Sequence, residues 1–235
     1  MEKSVFKAIL EEMRQEKYRF VPEAIEAIDS GDEESINKFL YYNPETASEM
    51  LKQRYGKFSP EKRFEVALYH YKDGGDHIGI IRQIIRRSLK LRDPNWREEL
   101  PESVRDLNEF TVYRAACDSP ERVVGSLSWT LSKDIAEWFV LYNNQNAGVQ
   151  LPQRIYKATI PADKVIAYLG GRDEFEILQY RGVKDIKTIP IEGLSEKFKK
   201  VERKIAKLPD TDFDTRYKLI NEYFDEWYRT VGCRG

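Results

Sequence analysis

The chain has 235 residues, with 39 lysines and arginines against 40 aspartates and glutamates, for a formal net charge of −1. Near-neutrality excludes a global attraction to nucleic acid or anionic membrane. A content of 41% hydrophobic and 12% aromatic residues excludes a disordered chain, and the length suits one large domain or two small ones.

Glu2, Lys3, Glu11, Glu12 and Arg14 interrupt the first twenty residues, so no secretory apolar core is visible there. No window approaches the roughly 18 apolar residues of a membrane span. A site of action in the cytoplasm, away from membrane, is the expectation. Residues 1–107 read as a helical region. Val5, Ile9 and Met13 share one face of a helix over residues 1–18. Asn43-Pro44 and Ser59-Pro60 each offer an N-cap followed by proline at the first helical position. Phe64, Ala67, Leu68 and Tyr71 recur at helical spacing before the turn Asp73-Gly74-Gly75-Asp76, from which a further helix runs to Leu91. His70, Asp73, Asp76 and His77 surround that turn without the spacing of a zinc site, so no metal is expected. Arg82, Arg86, Arg87, Lys90 and Arg92 form an acid-free basic run, ordinarily a solvated face and otherwise a contact for a phosphate chain. Asp93-Pro94 and Leu100-Pro101 close the region.

From residue 108 the pattern turns to strands. Phe110-Thr-Val-Tyr-Arg114 is β-rich, Ser119-Pro120 opens a helical turn, and Ser126–Leu131 reads as a second strand. A helix over about 132–142 places Ile135, Ala136, Phe139 and Val140 on one stripe. Strands are expected over 154–160, 164–169, 174–180 and 183–189, with helices over 195–208 and 212–231. Cys117 and Cys233 lie too far apart in sequence to form a metal or redox motif, and reduced thiols are expected.

Three short motifs carry chemistry. Arg114 ends a strand of apolar and aromatic residues, and its planar guanidinium can hold phosphate oxygens in a bidentate way. A structural salt bridge would use it equally well. Ser128 and Thr130 alternate onto one face of their strand, with Trp129 on the core side, and their hydroxyls can bind a ribose or orient a carboxylate. Ser126 competes for the serine role. Glu174 and Glu176 flank Phe175; a regular strand would aim both the same way, roughly 6.5–7 Å apart. Taken alone, the pair would read as a solvated face.

Together, Tyr113-Arg114, Ser128-Trp129-Thr130 and Glu174-Phe175-Glu176 resemble the ADP-ribosyltransferase superfamily, in its arginine-serine-glutamate branch of bacterial toxin and phage enzymes. The resemblance covers about residues 110–189, and Trp129 departs from the usual serine-threonine-serine triplet. It implies an α+β fold in which an N-terminal helical block (1–107) precedes a core of two small mixed β-sheets with flanking helices (108–235). It implies NAD as substrate, bound by Arg114, Ser128 and Thr130, with no metal. Glu176 would serve the nicotinamide ribose and Glu174 the acceptor. The loop Gly170-Gly171-Arg172-Asp173 would contact that acceptor, and Phe139 or Tyr142 could stack on nicotinamide, although core packing suits Phe139 better. The acceptor would be a macromolecule, protein arginine first and RNA or DNA second. NAD glycohydrolysis and a catalytically inactive interaction module remain as alternatives. A toxin setting leaves room for a neutralising antitoxin or immunity partner.

Overall fold

The computed structural model describes residues 3–72, 79–146, 154–170 and 174–190, and in the C-terminal segment 203–209, 212, 214–216, 218, 219 and 222. The turn at 73–78, residues 171–173 of the expected acceptor loop, and most of the two expected C-terminal helices lie outside the described residues. Backbone contacts divide the chain into two compact units, Met1–Glu98 and Glu99–Gly235.

The first unit is helical: α1 (Lys3–Lys17), α2 (Val21–Ser30), α3 (Glu33–Tyr42), α4 (Pro44–Gln53), α5 (Pro60–Lys72) and α6 (Gly79–Arg87). Local chemistry sets the boundaries. Gly31 takes φ 80° after α2 and returns its amide to Ala27 O at 2.9 Å, a left-handed stop that glycine adopts without a Cβ clash. Asn43 Oδ1 accepts from the Thr46 amide at 3.0 Å and Ser59 Oγ from the Lys62 amide at 3.1 Å, so both expected caps form, each followed by proline. Leu40, Ala47, Met50, Leu51, Val66, Ala67, Ile81 and Ile85 are fully buried in this unit. The helix expected to reach Leu91 ends at Arg87. Ser88 turns its hydroxyl back onto Ile84 O at 2.8 Å, and Leu89–Leu91 continue as a 3₁₀ turn. His70 is buried in α5 and hydrogen-bonds Leu40 O through Nε2.

The second unit is built on β1 (Glu109–Ala116), α7 (Pro120–Val123), β2 (Ser128–Thr130), α8 (Lys133–Asn146), β3 (Arg154–Pro161), β4 (Val165–Leu169), β5 (Glu176–Gln179) and β6 (Lys184–Ile189). Among the described residues, one open six-stranded sheet, order β4-β5-β2-β1-β3-β6 and antiparallel throughout, stands in place of the two small mixed sheets expected from sequence. Its connections are uneven. β1 pairs with β3 along its whole length, from Glu109↔Pro161 to Ala116↔Arg154. β1 meets β2 at one register pair, Tyr113↔Thr130. That pair makes one sheet of two three-stranded halves.

Helix α8 covers one face, where Ala136 and Val140 pack on Ala115 and Ile155, with Tyr113, Phe139 and Ile189 around them. The stripe expected on this helix is the one it buries. On the other face, Phe110, Val112, Tyr156, Ala158 and Ile160 are also buried, so β1 and β3 are buried on both faces around Ala115 and Ile155, while Glu109 and Thr111 at the start of β1 are exposed. No helix among the described residues is long and apolar enough to cross a membrane.

The turn after β5 is close-packed at Gly182. A Cβ there would meet Lys164 Cβ at 2.4 Å and Gln179 Oε1 at 3.3 Å. Gly182→Ala should therefore destabilise this unit by about 1–3 kcal/mol through overpacking. Gly125→Ala, whose Cβ would meet only Arg122 O at 3.4 Å, should change little. Thermal melts of the two variants against the parent check this, and equal melting would contradict the packing at Gly182.

Candidate functional site

Two hydrogen bonds from the end of β2 shape the approach to β5. Thr130 Oγ1 donates to Glu174 O at 2.6 Å, and the Leu131 amide donates to Phe175 O at 3.0 Å. Between those carbonyls the backbone takes a left-handed turn, with Phe175 at φ 47°. That conformation is an outlier for a residue with a bulky side chain and costs on the order of 1–3 kcal/mol. The strand therefore opens at Glu176, where the sequence suggested Glu174. The two glutamates are separated by a turn, and strand alternation does not set their relative direction. Glu174 is half-buried before the strand, while Glu176 is 4% exposed within it.

Glu176 lies across from Thr130 on one side and Leu169 on the other. Thr130 in turn pairs with Tyr113. Cross-strand partners share a face, so Glu176, Thr130 and Tyr113 form a row across β5, β2 and β1. Among the described residues only two carboxylates are buried, Glu176 and Glu137. A carboxylate kept from water costs several kcal/mol unless partners compensate it, so these two are the unusual acids of the fold.

The Thr130 hydroxyl is committed to the backbone. Besides donating to Glu174 O, it accepts from the Ser132 amide at 3.0 Å. Ser132 Oγ then accepts from the Ile135 amide at 3.3 Å at the start of α8. Thr130 is thus a brace for the glutamate turn, and its hydroxyl hydrogen points to the chain and away from any ligand. Ser128 is half-buried in β2, opposite Leu178. Trp129 is core, 1% exposed, and donates Nε1 to Ser126 O at 3.2 Å. Ser126 lies before the strand, where its carbonyl also accepts from Gln179 Nε2.

Arg114 pairs with Tyr156 of β3 and leaves β1 on the side opposite Tyr113. Its Nη1 donates to Ser128 O at 2.6 Å. That carbonyl belongs to the β2 backbone just beyond the Tyr113↔Thr130 pair, so the guanidinium bridges β1 to β2 where the two halves of the sheet join. The three motifs thus come together on neighbouring strands β1, β2 and β5. Arg114 and the Glu176–Thr130–Tyr113 row reach that junction from opposite faces.

Gly170 ends β4 against its own neighbour, since a Cβ there would meet Tyr168 Cε1 at 2.9 Å. Gly171, Arg172 and Asp173 lie outside the described residues, as does the side chain of Tyr142. Phe139 packs against the α8 core and edge-on to Trp138 at 4.7 Å between ring centroids. No cluster of metal-ligating side chains occurs among the described residues.

Sequence reasoning missed two buried polar residues. Glu137 is 1% exposed on α8, with Lys133 Nζ 3.5 Å from its Oε1; the i,i+4 pair was visible, but it reads as surface charge. Gln179 is 1% exposed, donates to Ser126 O and accepts from the Gly182 amide at 2.8 Å. It ties the approach to β2 to the exit from β5.

No protein-family model, curated protein or solved structure matches the chain.

Thr130→Val keeps the shape but strands the Glu174 carbonyl and the Ser132 amide. It should lower stability by about 1–3 kcal/mol and speed hydrogen exchange at the Ser132 amide, while Thr130→Ser stays near the parent. Denaturant unfolding and amide exchange of the three proteins test the brace, and a valine variant as stable as the serine one would remove it.

Proposed function

We propose that the chain is an NAD-dependent mono-ADP-ribosyltransferase. The observation that carries this reading is the junction of β1, β2 and β5: a buried carboxylate, Glu176, follows a strained residue that two hydrogen bonds from the Ser128–Thr130 strand hold in place. Arginine, serine-threonine and glutamate motifs that are distant in sequence lie on adjacent strands there, Arg114 on the face opposite Glu176. Strained backbone beside a buried charge is typical of sites where geometry serves chemistry.

In this reading NAD binds beside the single Tyr113↔Thr130 pair that joins β4-β5-β2 to β1-β3-β6, and the two halves act as the two small sheets of the resembled fold. Arg114, which also donates Nη1 to Ser128 O, grips the diphosphate through its planar guanidinium. The Ser128 hydroxyl binds ribose. Breaking the bond between ribose C1′ and the nicotinamide nitrogen sends the electron pair to nicotinamide, which leaves neutral. The anomeric carbon gains oxocarbenium character, as in glycoside cleavage. Glu176 stabilises that charge more in the transition state than in the ground state. An acceptor nucleophile then bonds to C1′ and gives up a proton. Glu174, held outside the strand by the Phe175 turn, orients that acceptor and takes the proton.

The Glu-x-Glu form makes protein arginine the first choice of acceptor. Incubation with labelled NAD and whole-cell lysate tests the assignment: protease-sensitive label supports it, nuclease-sensitive label redirects it to RNA or DNA, and nicotinamide release without label makes the chain a glycohydrolase. Absence of NAD binding would leave an interaction module.

Glu176→Gln removes the charge but keeps the shape. Turnover should fall 10²–10³-fold, with NAD affinity within a few-fold of the parent by calorimetry. Near-parental turnover would refute the role of Glu176.

Glu174→Ala should reduce transfer to acceptor more than nicotinamide release into water. Parallel assays of both products check this, and equal losses would assign Glu174 to NAD cleavage or to the local fold.

A further inference from the structure

We propose that the helical unit carries a docking surface for a nucleic-acid phosphate backbone, centred on α6 and the turn that follows it. Charge is segregated along this unit. Residues 1–49 hold twelve acidic and six basic residues, a net of −6, whereas residues 50–98 hold six acidic and twelve basic, a net of +6. A unit that is neutral as a whole is therefore strongly polarised along its sequence, and residues 77–92 contribute five cations with no carboxylate.

The fold fixes which way these cations face. Ile81, Ile84 and Ile85 are 0–3% exposed and anchor α6 in the helical core. Arg82 and Arg86, one turn and about 6 Å apart along the axis, are half-buried at the edge of that stripe. Arg87 and Lys90 are exposed. Beyond them, the Arg92 and Arg97 guanidiniums lie 5.0 and 5.1 Å from the centroid of the Trp96 ring, which is itself 7% exposed. Stacking on a buried ring restrains two flexible side chains before any ligand arrives, so less entropy is lost on binding.

The chemistry of the surface selects its partner. From Arg82 to Arg92 the cations run without interspersed acids, which fits a polyanion of regular charge spacing, and guanidiniums match phosphate oxygens in a bidentate way. A lipid bilayer fits less well, because the apolar stripe of α6 is spent inside the helical core and no apolar face of that helix is left to insert. The buried Trp96 offers no platform for base stacking, so recognition runs through the backbone and tolerates sequence.

The test measures binding directly and does not depend on NAD chemistry, so its failure is distinct from failure of the enzymatic reading. Fluorescence anisotropy of the full chain is followed with a labelled single-stranded RNA and a labelled DNA duplex, from ~50 to ~200 mM salt. Binding should weaken steeply with salt on at least one probe. The double variant Arg87→Glu/Lys90→Glu should lose about tenfold or more in affinity and flatten the log–log salt slope by about 1.5–2. Its melting temperature should match the parent, since both side chains are exposed. Absence of binding to both probes, or a variant that binds like the parent, overturns the proposal. So does equal or tighter binding to vesicles containing anionic lipid or to polyglutamate.

Discussion

One hydroxyl, that of Thr130, ties the end of β2 to the turn ahead of β5 and to the start of α8. It donates to the carbonyl of Glu174 ahead of β5 and accepts from the amide of Ser132 ahead of α8, while Thr130 itself ends β2. The bend at Phe175, the start of β5 at Glu176 and the start of α8 all follow from those two bonds and the adjacent Leu131–Phe175 contact. A buried carboxylate needs a rigid frame, because a mobile one would relax toward water and lose the electrostatic advantage of burial. Here the frame is backbone, held by a side chain too short to move far.

The elements whose pattern is local were legible in the sequence. The caps at Asn43 and Ser59 formed as their chemistry required, and the apolar alternation of Phe110 and Val112 identified β1. The stripe on α8 was readable for the same reason. The start of β5 was not readable, because Glu174-Phe175-Glu176 alternates polar and apolar residues just as a strand does. A left-handed φ at phenylalanine has no signature in composition, since it is imposed from β2. The same limit applies to β2, expected over 126–131 and observed over Ser128–Thr130, because the Ser126 carbonyl is taken by the side chains of Trp129 and Gln179. The joining of two half-sheets into one depends on a pairing, Tyr113 with Thr130, that only the folded chain specifies. Of the candidate site, the motifs were visible as residue types. That Thr130 braces a turn, and that Arg114 approaches the junction from the face opposite Glu176, were matters of register.

The two units meet their polar requirements differently. The sheet unit buries Thr130, Glu137, Glu176 and Gln179, and it hydrogen-bonds the side chains of Thr130 and Gln179 to backbone around β2 and β5. The helical unit buries small hydroxyls and one histidine, and keeps its charges at the surface in exposed pairs such as Arg54 with Asp29 at 2.7 Å. Exposed pairs of this kind contribute little to stability. They leave the charge distribution of the unit free to vary without cost to its core. The sheet unit has no such latitude near β2, where a change of one polar atom exposes several others.

The single pair between β1 and β2 also has a consequence for how the protein can change over time. The β1–β3 ladder and the β2–β5 ladder each fix their own register through several residues. Neither depends on the length of the segment that links β1 to β2. An insertion or deletion near Cys117, exposed at the start of that segment, would leave both registers as they are. How the two halves are linked along the chain is therefore separable from how each is built, open to drift or selection while the buried carboxylate and its brace stay as they are.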